Sequence, residues 1–307
     1  MSDFIRILAW LCCVFLGLEL KAESYKNYAV DRQPFKKHKV EGGLLYEQLQ
    51  EKFETQPLSL EEHKQRMKII SEILLKEKDW WDGYWLLAAD SFVVSSFYKE
   101  PERFPEARRL LEVGLKATEE CLARQPDHPL CKFFYASNLA KISAIDGIFA
   151  SLKHGPKIHR LWMDVLESGF NIQFRPNSSL QSSVRYGLGL FHRVVPDIWL
   201  VSFIFKIRGN MDRSIQYHRE GLALDAEDPC AKMMLATALL CKNKGEGKGP
   251  LFLEAKSLLE IAGHQKALDF NQQICVKDAP RILANPETSC GYTQAKFQNE
   301  MTVKDFS

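Results

Sequence analysis

The sequence predicts an all-α protein in which antiparallel helical hairpins stack into an arc or ring. Apolar residues recur at helical spacing over most of the chain, and two junctions between helices repeat one pattern. Residues 122–131 (LARQPDHPLC) and 222–231 (LALDAEDPCA) each end a helix in Leu-Ala, pass through a polar turn and begin the next helix with proline. The apolar run 198–205 could pass for a β-strand, but no second run that could pair with it lies nearby. We therefore predict no β-strand.

A lead-in pair of helices comes before four longer hairpins. Leu44, Leu45, Leu49 and Phe53 mark the first lead-in helix, and Ser59 caps the second. The predicted hairpins pair residues 80–98 with 105–125, a helix opening at Pro129 with 156–166, a helix opening near Leu180 with 212–224, and a helix opening at Pro229 with 251–261. Each hairpin therefore takes about 50 residues, which is longer than the usual repeat of about 34 in tetratricopeptide (TPR) proteins.

Small residues lie on one face of two of these helices. Gly114 and Cys121 are seven residues apart, and so are Ser214 and Gly221. Seven residues are nearly two helical turns, so each pair shares a face on which neighbouring helices can approach closely. The pattern is TPR-like, and residues 43–263 form the predicted repeat domain.

The first 22 residues are typical of a secretory signal peptide. Arg6 precedes an apolar run over residues 7–18, which is shorter than the roughly 20 residues that cross a bilayer. We expect cleavage after Ala22 and export; the family resemblance described below implies that the compartment is the periplasm. The alternative is an uncleaved membrane anchor, whereas Leu11 ahead of Cys12 disfavours a lipoprotein signal. Residues 23–42 are a predicted linker, and residues 264–307, with Pro280 and Pro286, are a predicted irregular tail.

The composition excludes several classes of protein. Hydrophobic residues make up 46% of the chain and charged residues 26%, a balance that disfavours a disordered chain. The 41 Lys and Arg nearly balance the 39 Asp and Glu, so nothing in the overall charge favours a nucleic acid partner.

Six cysteines remain after cleavage, an even number that is compatible with disulfides in an exported protein. Cys121, Cys131, Cys275 and Cys290 are the predicted disulfide cysteines, and we expect Cys275 and Cys290 to staple the tail. Cys230 and Cys241 are interpreted as small buried apolar residues.

Five residues are predicted to bind a ligand or partner: Trp81, Trp85, Arg185, Tyr186 and Trp199. Trp81 and Trp85 share a helical face, and large aromatic side chains with a polar edge are common binding anchors. The alternative is that they pack the first hairpin against the lead-in helices. Arg185 can pair with a carboxylate of a ligand. Trp199 belongs to the apolar run 198–205, which we interpret as a buried helix or connector.

The chain lacks the motifs of common catalytic centres, so the sequence predicts no enzyme, no cofactor and no metal site. His154 and His159 are five residues apart, and on one helix they would point about 140° away from each other. Pro156 predicts that the helix begins only there, which leaves His154 in the turn. His192 and His218 are interpreted as surface or packed histidines.

Three stretches resemble the TatT-type proteins, the T components associated with tripartite ATP-independent periplasmic (TRAP) transporters. They are SNLAKISAIDG (137–147) with the following SLKHGPKI (151–158), RYGLGLFHRVVP (185–196) and GNMDRSIQYHREGLALD (209–225). The resemblance covers residues 80–262, and the same helical family includes regulator-of-microtubule-dynamics proteins. The chain departs from the family in lacking a lipobox and in carrying the apolar run 198–205 where a short Gly-rich loop is expected.

The resemblance implies a helical-repeat scaffold that binds a periplasmic solute-binding protein and forms homo-oligomers, with an apolar small molecule in its cavity. Stacked hairpins present extended surfaces, so binding is the expected use of such a fold. Two alternatives stay open. One is an envelope-assembly scaffold with no role in transport, and the other is a cell-envelope enzyme whose site has no recognisable motif.

Overall fold

Helical hairpins make up the architecture of the chain. The computed structural model describes residues 28–32 and 43–293; the predicted signal peptide, most of the predicted linker and residues 294–307 of the predicted tail lie outside that part. The helices are α1 (Gly43–Thr55), α2 (Leu60–Lys76), α3 (Trp81–Ser95), α4 (Phe104–Arg124), α5 (Pro129–Asp146), α6 (Ile148–Ser168), α7 (Leu180–Val194), α8 (Trp199–Phe205), α9 (Met211–Leu224), α10 (Pro229–Lys242), α11 (Pro250–His264) and α12 (Phe270–Ala284). Within the described residues, we find no helix with both the length and the apolar character that a bilayer crossing requires.

The helices pair in the predicted order, which confirms the all-α fold. α3 packs against α4, α5 against α6, α7 against α9 and α10 against α11. Neighbouring hairpins join because α4 also packs on α5, and α9 on α10. A short antiparallel pair of strands, β1 (Gln173–Arg175) and β2 (Ser178–Ser179), connects α6 to α7. These strands were not predicted because they are too short to show an alternating pattern. The arc or ring arrangement stays a prediction.

Helix starts follow the predicted signals except in α6. Ser59 and Glu62 form a capping box at the start of α2, while Pro129 and Pro229 occupy the first turns of α5 and α10. The prediction that the second helix of its hairpin begins at Pro156 is wrong, since α6 begins at Ile148 and contains Pro156. The break lies instead at Gly147, whose φ of 97° belongs to a region that glycine adopts readily.

The predicted irregular tail contains a helix. α12 spans Phe270–Ala284, with Cys275, Ala279 and Ile282 buried against α10 and α11. Asp269 caps its first turn by accepting a hydrogen bond from the backbone N–H of Gln272. Pro280 lies inside the helix, so it does not end the helix as the sequence pattern suggested. The prediction of an irregular tail is therefore wrong for this segment.

All six cysteines among the described residues form disulfides. Cys121 bonds to Cys131 across the junction between α4 and α5. Cys230 bonds to Cys275, and Cys241 bonds to Cys290. The expected bond between Cys275 and Cys290 is therefore wrong, and so is the interpretation of Cys230 and Cys241 as unbonded residues. Both C-terminal disulfides tie α10 to the segment that follows α11, which was predicted to be loose.

Small residues allow close helix packing, as the sequence indicated. Gly114 on α4 lies so near α3 and α5 that an added Cβ would be 2.8 Å from Asn138 Oδ1 and 3.1 Å from the backbone Cα of Ala88. Asn138 cannot easily give way, because its amide donates hydrogen bonds to the carbonyls of Ala88 and Phe134. Gly221 on α9 is less crowded, since its nearest neighbours would lie 3.4 Å from a Cβ.

We expect Gly114→Ala to lower the free energy of unfolding by about 1–3 kcal/mol, because the methyl group overpacks the contact between α3, α4 and α5. The matched Gly221→Ala should be neutral or stabilising by up to about 1 kcal/mol, because alanine favours a helix and its Cβ meets only ordinary contacts. Urea unfolding of both variants measures the difference. Equal destabilisation by the two substitutions would contradict this account.

Candidate functional site

Several helices and the β1–β2 segment enclose a cavity of about 380 Å³, which lies in the range of small-molecule binding sites. Each helix contributes one stripe of residues at helical spacing. The stripes are Trp85, Ala89, Phe92 and Val93 on α3, continued by its C-cap residue Ser96; Phe133, Phe134, Ser137, Ala140, Lys141 and Ala144 on α5; Leu152, Gly155, Ile158 and Trp162 on α6; and Ser182, Tyr186, Gly187, Leu190 and Phe191 on α7. Most of these side chains are apolar, so the cavity suits an apolar molecule.

Aromatic rings form one wall of the cavity. Trp85 is only 2% exposed and stacks on Phe134, with ring centroids 5.8 Å apart and planes 9° from parallel. Phe174, which follows α6 in β1, packs against both of these rings and against Phe133. The indole N–H of Trp85 donates a hydrogen bond to the carboxylate of Asp82, which fixes the ring in place.

The structure brings two of the five predicted binding residues to this cavity. Trp85 and Tyr186 line it, and the Tyr186 hydroxyl is buried with no hydrogen-bond partner among the described residues. Trp81 does not line the cavity and stacks on Tyr84 instead. Arg185 also lies outside the cavity lining and donates hydrogen bonds to Gln181 and Glu220.

Trp199 lies on a different surface. The helix α8 to which it belongs was interpreted as buried, but the structure exposes most of its side chains. Trp199 is 72% exposed, and Ile198, Leu200, Phe203 and Ile204 are exposed with it. Val201 is the buried residue of α8. The interpretation as a buried segment is therefore wrong, because apolar composition alone does not show which side of a short helix is covered.

The part of the chain before α3 also contacts the first hairpin. The Tyr28 hydroxyl and the Asp31 backbone N–H both donate hydrogen bonds to Asp82, at 3.1 and 2.6 Å. The indole N–H of Trp80 donates to the Asp31 carbonyl. Residues 28–32 of the predicted linker are therefore docked at the start of α3, the helix that carries Trp85 of the aromatic wall.

Buried ion pairs lie at one part of the cavity lining. Arg175 pairs with Asp269 at 3.0 Å and donates a hydrogen bond to the carbonyl of Phe53. Arg66 is fully buried and pairs with Asp90 at 3.0 Å between Nε and Oδ2. Both guanidinium groups lie about 4 Å from the centre of the Phe53 ring. These two cations of the lining therefore have their own carboxylates.

Lys141 on α5 is the cation that sequence reasoning missed. It lines the cavity and is 9% exposed, and its ammonium donates hydrogen bonds to the Phe92 carbonyl at 3.1 Å and to the Ser96 hydroxyl at 2.5 Å. Burial, with a smaller contribution from the nearby Lys99, lowers the pKa of Lys141 to about 7. A single lysine inside an otherwise apolar helical stripe was the available signal.

His192 and His218 are packed, and burial lowers the pKa of each imidazole. Burial first, and then the neighbouring His159, lower the pKa of His192 to about 4, and its ring stacks on Tyr217. Burial also lowers the pKa of His218 to about 3, with its ring against Gly189. His154 lies within α6, so its predicted place in a turn is wrong. Neutral imidazoles with pKa values this low are poor acid–base catalysts near pH 7.

One group of side chains has the composition of a metal site. Cys121, His128 and Cys131 have their possible ligand atoms within 4.8 Å of one another. The two sulfurs, however, are bonded to each other in a disulfide, so neither is a thiolate that could bind a metal. This group therefore serves as a staple between α4 and α5.

No protein-family model and no curated protein sequence matches this chain. The resemblance to TatT-type proteins therefore stays a prediction.

We expect the free energy of unfolding to rise with pH between about pH 7 and pH 9 because of Lys141. Its pKa is about 7 in the folded protein and 10.5 as its ordinary value, so the unfolded chain binds more protons in this window. The stability that neutral Lys141 contributes is lost as the pH falls towards and through its pKa in the folded protein. The slope from one group is at most about 1.4 kcal/mol per pH unit.

Urea unfolding of the wild type and of Lys141→Met at about pH 7 and about pH 9 measures this contribution. The variant should show a shallower rise than the wild type. Identical slopes in the two proteins would show that Lys141 does not titrate in this range.

Proposed function

We propose that the protein is a binding protein that holds an apolar small molecule in its internal cavity. The observation that carries this proposal is the cavity of about 380 Å³, whose walls are mostly aromatic and aliphatic. Sites for small molecules have this character: an apolar lining with a few polar groups that orient the ligand. The unpartnered hydroxyl of Tyr186 and the ammonium of Lys141 are such groups.

The three disulfides support the proposed export of the protein. Disulfides persist in oxidising compartments such as the periplasm and are rare in the cytosol. All six cysteines of the mature chain are paired, and the two bonds of the C-terminal part close sequence separations of 45 and 49 residues. Periplasmic localisation remains part of the proposal.

A second function, that of a scaffold for another protein, is favoured by α8. Its exposed Trp199, Phe203 and Ile204 form an apolar surface of the kind that marks protein contacts. Aromatic residues are enriched among the anchors of such contacts. The family resemblance makes a periplasmic solute-binding protein of a TRAP transporter the proposed partner, with this chain as the auxiliary component.

Ligand binding in the cavity is tested by filling it. Ala140 lines the cavity on α5, and Ala140→Trp should reduce the affinity for the neutral fluorescent probe N-phenyl-1-naphthylamine by at least about tenfold, because the indole takes the ligand's space. Ala223 is exposed on α9, so Ala223→Trp is the matched control and should bind as the wild type does. Native mass spectrometry of the purified protein should also detect a bound molecule. If the wild type takes up no probe and carries no ligand, the proposal fails.

The scaffold function is tested by charging α8. Replacing Trp199 and Phe203 with Glu should abolish recovery of a solute-binding protein after crosslinking in the native envelope, because the charges oppose burial of this surface. Leu75 is 78% exposed on α2, and Leu75→Glu should leave recovery unchanged. Mass spectrometry identifies what is recovered. Other envelope proteins, or the chain alone, in place of a solute-binding protein would contradict the transport role.

A further inference from the structure

Lys141 is a buried cation that lacks a carboxylate partner. Its side chain is nine-tenths buried on α5, and within the described residues no carboxylate oxygen lies within ion-pair distance of its ammonium. The charged group that most affects it is Lys99, a second cation that also lines the cavity. Buried charges in proteins are normally paired, because an isolated one is costly to remove from water.

The other charges of the lining are accounted for. Arg175 pairs with Asp269, Arg66 with Asp90 on α3, and Arg32 with Glu54. Asp228 caps α10 by accepting from the Cys230 N–H, and burial raises its pKa to about 7. Among the described residues of the lining, Lys141 is therefore the buried cation without a carboxylate partner.

The end of α3 compensates part of the charge on Lys141. The Lys141 ammonium donates hydrogen bonds to the Phe92 carbonyl and the Ser96 hydroxyl. At this C-terminal end of α3 the helix dipole is equivalent to about half of a negative charge. An ammonium has three N–H donors, and these two acceptors use two of them. The Phe92 ring also lies near the ammonium, with its centroid 4.5 Å from Nζ, but the third donor has no oxygen acceptor among the described residues.

The same helix connects this charge to the apolar wall. Phe134 lies seven residues before Lys141 on the cavity stripe of α5, a distance of about 10 Å along the helix. Ser137 and Ala140 are the small residues between them, so the stripe is open along that length. A ligand that fits this arrangement has a charged end and an apolar chain.

We propose that the cavity binds a single-chain amphiphile whose monoanionic head group, such as a carboxylate, pairs with the ammonium of Lys141 while its chain lies along the aromatic wall. This inference rests on the proposed ligand-binding function and specifies the chemical class of the ligand. An anion at this position supplies the missing acceptor and neutralises the repulsion between Lys141 and Lys99.

The test compares three ligands that share one twelve-carbon chain: dodecanoate, 1-dodecanol and dodecylammonium. Each displaces N-phenyl-1-naphthylamine from the full mature protein at about pH 6, below the pKa of Lys141, after its native ligand has been extracted. A charge-assisted hydrogen bond is worth about 1.5–3 kcal/mol, so the wild type should bind dodecanoate about tenfold to hundredfold more tightly than dodecanol. Dodecylammonium should be the weakest ligand.

Variants assign that preference to Lys141. Lys141→Met should remove the preference for dodecanoate while leaving the affinity for dodecanol within about threefold, and Lys141→Arg should retain the preference. Lys68 is 79% exposed on α2, and Lys68→Met is the matched control. If Lys141→Met does not fold, the order of the affinities for the three ligands in the wild type and in Lys141→Arg still tests the proposed head-group preference.

Two outcomes separate this inference from the function on which it rests. If the wild type binds all three ligands equally or prefers dodecylammonium, the head-group inference falls and the apolar cavity stands. If none of the three displaces the probe and no probe binds, the ligand-binding function itself fails.

Discussion

The buried guanidinium of Arg175 joins the first and last α-helices of the described part of the chain, α1 and α12. From β1 it donates to the carbonyl of Phe53 at the end of α1 and to Asp269, the residue that caps α12. Removing one partner of a buried pair typically costs about 3–5 kcal/mol, because the other charge is left uncompensated. The contacts of α12 continue at Phe270, whose ring stacks on Phe97 just beyond α3. The helices between these ends can line a common cavity because the ends are held together.

The cavity follows from the side chains that these helices turn inward. The stripes alternate aromatic rings with Ser, Ala and Gly, and such small residues leave space that the rings do not fill. Most other inward positions are fully packed, as in α10, where Met233, Met234 and Leu239 are completely buried. The densely packed C-terminal hairpin contrasts with the incompletely filled inner wall, and this contrast is the basis of the proposed ligand site.

The hairpins could be predicted because their signals are local. Prolines at helix starts, the capping Ser59 and the repeated junction each depend on a few neighbouring residues. The errors arose where contacts between residues far apart in the sequence determine the local structure. α12 is stabilised by burial against α10 and by the disulfide of Cys275, neither of which is visible in its polar sequence. Disulfide pairing depends on which helices meet, and an even cysteine count leaves it open.

The candidate site was harder to predict than the fold for the same reason. Trp85 was recognisable as a large aromatic on a helical face, whereas Lys141 becomes notable only when α3 is seen to bury it. An exposed lysine and a buried one look alike in a sequence, since solvation distinguishes them. Trp199 shows the converse, because its apolar neighbours suggested burial and the fold exposes them.

The cavity and the surface of α8 are physically connected, so the two proposed functions need not be independent. Val195 and Pro196 line the cavity just before α8, and Ile207 after it is buried beside Gly155 of α6. The backbone at Gly209 packs directly against the residues that precede α8, since a Cβ there would lie 1.9 Å from the carbonyl oxygen of Val195. A partner that shifts α8 would therefore move cavity-lining residues at its near end. By linkage, any change that such a partner causes in ligand affinity must be matched by an equal effect of the ligand on partner affinity.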